Sequence, residues 1–206
     1  MSRIIFLFLV GFICSVSSVF AKDGTDKYKD DVKEVEDYLN SITNFTAHFN
    51  QVDDLEERSE GVFYLSRPGK LRWEYYPPNP VLILSNGSLF TYYDIELDEV
   101  SHISIDDNIL GVLTRKHVSF SQNKIKILNI QKNDDKLEIT LGQEDKEDEG
   151  QLTLIFKTGK IELRGLRVVD AIGKVVNVEF SGVAYDQPID KSLFYMPLDR
   201  KRNRRE

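Results

Sequence analysis

Cysteine is almost missing from this 206-residue chain: Cys14 is the single one. One thiol closes no internal disulfide and builds no cysteine-rich metal cage. Histidine is nearly as scarce. His48, His102 and His117 stand far apart, at no metal-ligand spacing, and read as surface or strand residues. Basic residues are too few to outweigh acidic ones, 27 against 34, for a net charge of -7. That balance argues against nucleic acid as a partner, because phosphate binding needs clustered Lys and Arg. No Gly-x-Ser-x-Gly elbow is present, and the glycines fit neither a phosphate loop nor a dinucleotide fold. Carboxylates are plentiful, but sequence alone does not show two converging on one substrate. The expectation is a protein that is not an enzyme.

Long apolar runs are confined to the amino terminus. Arg3 is the sole charge in residues 1–21, Ile4–Ile13 is unbroken apolar sequence, and the stretch closes Val19-Phe20-Ala21 before Lys22-Asp23. A basic start, a short apolar middle and small residues at positions -3 and -1 describe a cleaved secretory signal peptide over 1–21. An uncleaved anchor needs a core of about 20 residues, longer than this one. Lipid attachment at Cys14 needs a small residue before it, and Ile13 is large and branched. Cleavage after Ala21 removes the cysteine and Arg3, and leaves residues 22–206 as one acidic exported domain with a short basic tail at 200–206.

What is present is alternation. Tyr28–Ile42 reads as an amphipathic helix, with Val32, Val35, Leu39 and Ile42 at steps of three and four. From Phe45 the period becomes two. About ten strands follow, broken by turn signals at Arg67-Pro68-Gly69-Lys70, Asn86-Gly87, Asn133-Asp134-Asp135, Thr158-Gly159-Lys160 and Ile172-Gly173-Lys174. Asn86-Gly87 predicts a hairpin with a type I′ turn. Asp106–Lys116 interrupts the strands: Asp106, Asp107 or Asn108 is placed to cap a short helix carrying Ile109, Leu110, Val112 and Leu113. The acidic run Glu144–Gly150 reads as a solvated loop. Many short antiparallel strands with two short helical segments predict a mainly β (α+β) sandwich or barrel. The aromatics cluster on strands: Phe45, Phe49, Phe63, Tyr64, Trp73, Tyr75, Tyr76, Phe90, Tyr92 and Tyr93. A sheet of this size can also enclose a ligand. An empty apolar cavity is costly, so such a barrel needs a filler or a plug, and the two amphipathic segments are candidates for the plug.

The stretch Gly61-Val62-Phe63-Tyr64-Leu65-Ser66-Arg67-Pro68-Gly69-Lys70-Leu71-Arg72-Trp73-Glu74-Tyr75 carries a resemblance. It continues through Pro80, Leu82-Ile83-Leu84-Ser85-Asn86-Gly87 and Tyr92-Tyr93-Asp94, and is preceded by Phe45-Thr46-Ala47-His48-Phe49-Asn50-Gln51. In order and spacing it resembles the periplasmic outer-membrane lipoprotein carrier (LolA) family of Gram-negative bacteria. The resemblance implies an incomplete, curved antiparallel β-barrel with a short helical lid over an apolar cavity. It implies a monomeric periplasmic chaperone without cofactor. Such a carrier takes acylated lipoproteins from an inner-membrane lipoprotein-release ABC transporter and passes them to an outer-membrane lipoprotein receptor. A lipid-sensing or regulatory domain of the same half-barrel is the alternative. The Arg of the family's Arg-Pro motif falls on Arg67, which the resemblance makes a lid latch bonded to lid carbonyls. Phe63 and Leu65 share its face by counting in twos, which sets a guanidinium at the rim of an apolar surface, where carbonyls at a helix carboxyl end are suitable partners. The acyl-chain cavity is then expected from Phe45, Phe49, Phe63, Leu65, Leu71, Trp73 and Tyr75. The lid is expected from Val32, Val35, Leu39, Ile42, Ile109, Leu110 and Leu113. Leu71 stands where some members carry an aromatic. Leu193-Phe194-Tyr195-Met196-Pro197 fits the family's closing strand.

Overall fold

The structure, a computed structural model, describes residues 27–122, 124–144, 146 and 150–196. The signal sequence, Cys14, the basic tail and most of the acidic run lie outside these residues.

Helix α1 (Lys29–Ser41) precedes eleven strands. These are β1 (Asn44–Asp53), β2 (Arg58–Ser66), β3 (Lys70–Tyr75), β4 (Val81–Asn86), β5 (Leu89–Asp94), β6 (Glu99–Ser104), β7 (Ile125–Lys132), β8 (Lys136–Gln143), β9 (Gly150–Lys157), β10 (Glu162–Asp170) and β11 (Val175–Tyr185). They form one sheet in the order β6-β5-β4-β3-β2-β1-β11-β10-β9-β8-β7, every pairing antiparallel. Pairing of β1 with β11 joins the first and last strands in mid-sheet. β6 and β7 remain unjoined edges, so the barrel is incomplete.

The sheet curls around an apolar face built by alternation. Phe45, Ala47 and Phe49 on β1, Phe63 and Leu65 on β2, and Leu71 and Trp73 on β3 are each at most 5% exposed. On the other wing Leu137, Ile139, Leu141, Leu152, Leu154, Phe156 and Leu166 are fully buried. Gly61 shows how tightly β1 to β3 coil. It pairs with Phe49 on one side and Tyr75 on the other, and those two rings meet over it with centroids 5.0 Å apart. A Cβ there would lie 1.9 Å from the Glu74 carbonyl oxygen and 2.7 Å from the Phe49 ring. Neighbouring aromatics cover the bare backbone.

Two details differ from the sequence reading. Register across β4 and β5 leaves Gly87 and Ser88 as the connecting pair, and of these only Gly87 has positive φ. That is the signature of a type II′ turn, not I′. Asn86 stays in β4, and its Oδ1 accepts from the Ser88 and Leu89 amides. The closing segment is also not a strand. Lys191–Phe194 is a 3₁₀ turn, started by Asp190 accepting from the Ser192 amide. It forms a strap on the outer face of β3 to β5. Arg72 donates to the Leu193 carbonyl at 2.8 Å, and Met196 packs on Leu82, Leu84 and Tyr93.

Gly61→Ala should destabilise the fold by about 2 kcal/mol or more, since the new methyl forces β2 from β3. Equilibrium urea unfolding with an unchanged slope checks this; stability equal to wild type would show that the sheet can relax there.

Candidate functional site

Helix α1 is too short to persist alone in water. Two acids, Asp30 and Asp31, suit its amino-terminal turn, yet its last turn contains no basic residue. Its stability comes from below, where Val35, Leu39 and Ile42 are buried, each contributing roughly 1.5–3 kcal/mol. Val32 is half-buried beside them. Tyr38 fastens the helix sideways: its hydroxyl meets the Tyr185 hydroxyl at 2.9 Å and accepts from the Leu163 amide at 3.0 Å. Burial, then the Tyr185 bond, raises its pKa.

The second cover is a 3₁₀ segment, Ile109–Thr114, that touches β8 and β9. Asn108 caps it by accepting from the Leu110 amide at 2.9 Å. Ile109, Val112 and Leu113 are buried and Leu110 is half-buried. Gly111 fits because a Cβ would strike the Ile105 carbonyl oxygen at 2.4 Å.

Arg67 sits in the β2–β3 turn, between the two covers. Its Nε donates to the Leu113 carbonyl at 2.8 Å; its Nη1 donates to the Leu39 carbonyl and, at 3.3 Å, to that of Ile42. It thereby supplies the cation that the end of α1 lacks, satisfying carbonyls the helix leaves open. Burial lowers its pKa to about 10, so it remains charged at neutral pH. The adjacent Gly69 amide donates to the Thr114 carbonyl at 2.7 Å.

Sequence reasoning missed the remaining ties. Asn40 on α1 donates to the Val118 carbonyl and accepts from the Val118 amide, at 2.9 and 2.8 Å. Glu36 accepts from the Phe120 amide at 2.6 Å. Both residues lie on the helical stripe beside Val32, Val35 and Leu39, and their partners are about 80 residues away. The only available signal was two polar residues on a core-facing helix.

The seven candidate cavity residues do assemble on one face. Phe45, Phe49, Phe63 and Trp73 are linked edge-to-face through Phe180, Tyr75 and one another, with centroids 5.0 to 5.9 Å apart. Tyr75 is half-buried and donates to Gln51 Oε1 at 2.7 Å. Tyr64 on β2 and Tyr93 on β5 register instead with outward positions, opposite Arg72 and Leu82, and Tyr76 lies just past the end of β3. Phe90, Phe120, Phe156 and Phe180 complete the apolar face. Exposure is graded toward edge strand β6. The row Phe63–Trp73–Ile83–Tyr92–Ser101 runs from 1% at Phe63 and 3% at Trp73 through half-buried Ile83 to 41% at Tyr92. Parallel to it, Leu65–Leu71–Ser85–Phe90–Ile103 ends on Ile103 at 46%. Neither row carries a charged side chain.

Residues 40–197 match the family described as outer membrane lipoprotein carrier protein LolA. An uncharacterised protein of Rickettsia prowazekii is 28% identical over 60% of this chain and 55% of its own, so the match spans about half its length. An outer-membrane lipoprotein carrier protein of Pseudoalteromonas translucida is 27% identical over 82% of this chain and 84% of its own. Among solved structures, a LolA superfamily protein of Nitrosomonas europaea aligns with 80% of this chain and 97% of its own, at 11% identity and a TM-score of 0.46.

Asn40→Ala should loosen the cover before the sheet. Amide exchange at Val118 and Phe120 should accelerate about tenfold, the loss of a bond pair of roughly 1–2 kcal/mol, with β8 and β9 unchanged. Uniform acceleration throughout would show that the cover does not open separately.

Proposed function

Because the chain belongs to the outer membrane lipoprotein carrier protein LolA family, we propose that it is a periplasmic chaperone that takes up the acyl chains of lipoproteins released from the inner membrane and delivers them to the outer membrane. The carrying observation is Arg67. One guanidinium holds carbonyls of both covers, Leu113 from the 3₁₀ segment and Leu39 and Ile42 from α1. Two covers joined by one guanidinium, over a face whose rows reach exposed Tyr92 and Ile103 at one edge, suit a container that opens.

The energetics explain why fastening is useful. Burial of an acyl chain is worth about 0.8 kcal/mol per methylene, so free chains do not cross water readily. A preformed open groove would keep most of that energy and release nothing. When the empty protein is closed, loading must first separate Val35, Leu39, Val112 and Leu113 from the face and break the Arg67 bonds. That cost lowers net affinity, and release returns it as the cover closes. No bond of the cargo is made or broken. The donor is an inner-membrane release complex driven by ATP hydrolysis, the acceptor an outer-membrane receptor, and the carrier works as a monomer. The amino-terminal 21 residues serve as the export signal.

Arg67→Leu removes the latch while keeping apolar bulk. The variant should still load acylated lipoprotein, yet transfer to outer membranes should fall about tenfold or more, as expected for loss of charged hydrogen bonds worth roughly 1.5–3 kcal/mol each. Wild-type loading and unloading by the variant would sink the latch. The cargo itself is tested by purifying the protein from membrane-containing lysate and identifying what is bound. Acylated polypeptides that move on to outer membranes support the carrier; lipid that stays bound marks a sensor instead.

A further inference from the structure

Trp73 is the single tryptophan of the chain, and its indole Nε1 is buried without a hydrogen-bond acceptor among the described residues. The residue is 3% exposed. Around it are Phe63 and Phe49, edge-on at 5.2 and 5.5 Å, and Tyr75, stacked at 6.3 Å with 3° between the planes. Phe49 and Phe63 have no lone pair to offer, and the Tyr75 hydroxyl is directed to Gln51. A buried donor left unpaired is costly, and phenylalanine would fill most of the same space without that cost. Packing alone therefore gives no reason for indole at this position. Trp73 is also the deepest polar donor on the row that leads in from the β6 edge, past Tyr92 and Ile83.

Resting on the carrier reading above, we propose that Trp73 Nε1 is a specificity donor: it hydrogen-bonds the carbonyl oxygen at the head of a bound acyl chain. The protein then selects acyl chains, joined through an ester or amide carbonyl, over alkyl chains of equal length that lack one. The apolar face supplies affinity for methylenes of either kind, which is indifferent to linkage. Discrimination arises because only the carbonyl satisfies the waiting donor, and an ether oxygen is a much poorer acceptor.

The experiment compares three probes on the full mature chain: a diacylglyceryl lipopeptide, its dialkylglyceryl ether analogue of equal chain length, and an N-acyl peptide. Wild type should bind the better carbonyl probe about tenfold more tightly than the ether, a difference of about 1.4 kcal/mol. Trp73→Phe should lose that preference and bind the ether as wild type does. The carbonyl probe whose affinity drops in the variant identifies the linkage read. Equal binding of carbonyl and ether probes by wild type overturns this inference and leaves the carrier reading standing; binding of none overturns both. A second readout needs no variant. With one indole in the chain, its N–H proton resonance should move downfield on loading with the carbonyl probe and not with the ether. No difference between the two would overturn the assignment even if Trp73→Phe failed to fold.

Discussion

A charged guanidinium at the edge of an apolar interior is the constraint around which the upper end of this molecule is arranged. Arg67 cannot be sequestered unpaired, and burial already pulls its pKa down to about 10. Three carbonyls receive it, from elements more than 70 residues apart in sequence, Leu39 and Leu113 among them. The positions of α1 and the 3₁₀ segment depend on apolar burial, which is non-directional, and on a few directional polar ties. Arg67 joins both covers, and Tyr38, Asn40 and Glu36 fasten α1 to Leu163, Val118 and Phe120. On the proposed function the cover lifts, and both Arg67 and the carbonyls then meet water and are solvated, so that opening costs far less than breaking the same bonds inside a sealed core.

The two wings of the concave face divide the labour. β8, β9 and β10 present a layer of aliphatic residues that are fully buried, under α1 and the 3₁₀ segment. β3, β4 and β5 present a mixed face, with Trp73 and Phe90 buried, Ile83 half-buried and Tyr92 41% exposed beside β6. On the proposed function, entry belongs to the second wing and closure to the first. The second wing also needs stiffening, since its concave side is incompletely covered. The strap at Lys191–Met196 provides it from behind, burying Phe194 and packing on Leu82, Leu84 and Tyr93. Those strands are therefore apolar on both faces at mid-length, whereas β6 is exposed almost throughout.

Strands and their facing were legible because alternation is local. Phe45, Ala47 and Phe49 announce an inward face regardless of what lies opposite. The α1 stripe and the Asn108 cap are local in the same sense. Arg67 was singled out by family resemblance together with its place at the end of an apolar row. What stayed hidden is what depends on distant partners. Asn40 meets Val118, Glu36 meets Phe120 and Tyr38 meets Leu163 across long sequence separations, and no periodicity encodes such pairs. The closing segment misled for a related reason. Leu193, Phe194 and Met196 have strand-like composition, but the available partner is the outer surface of β3 to β5 and not a free edge, so the segment turns and packs by side chains.

Gly61 and Trp73 belong together in this account. The missing side chain at 61 lets Phe49 and Tyr75 approach over the backbone, and that approach brings Phe49 and Tyr75 against the Trp73 ring. The curl that builds the concave face is thus the same curl that surrounds the indole with rings and leaves it without an acceptor among the described residues. A flatter sheet would leave Trp73 Nε1 open to water and satisfied. The unsatisfied donor is a consequence of curvature, and on the proposed function that curvature is also what encloses the acyl chain.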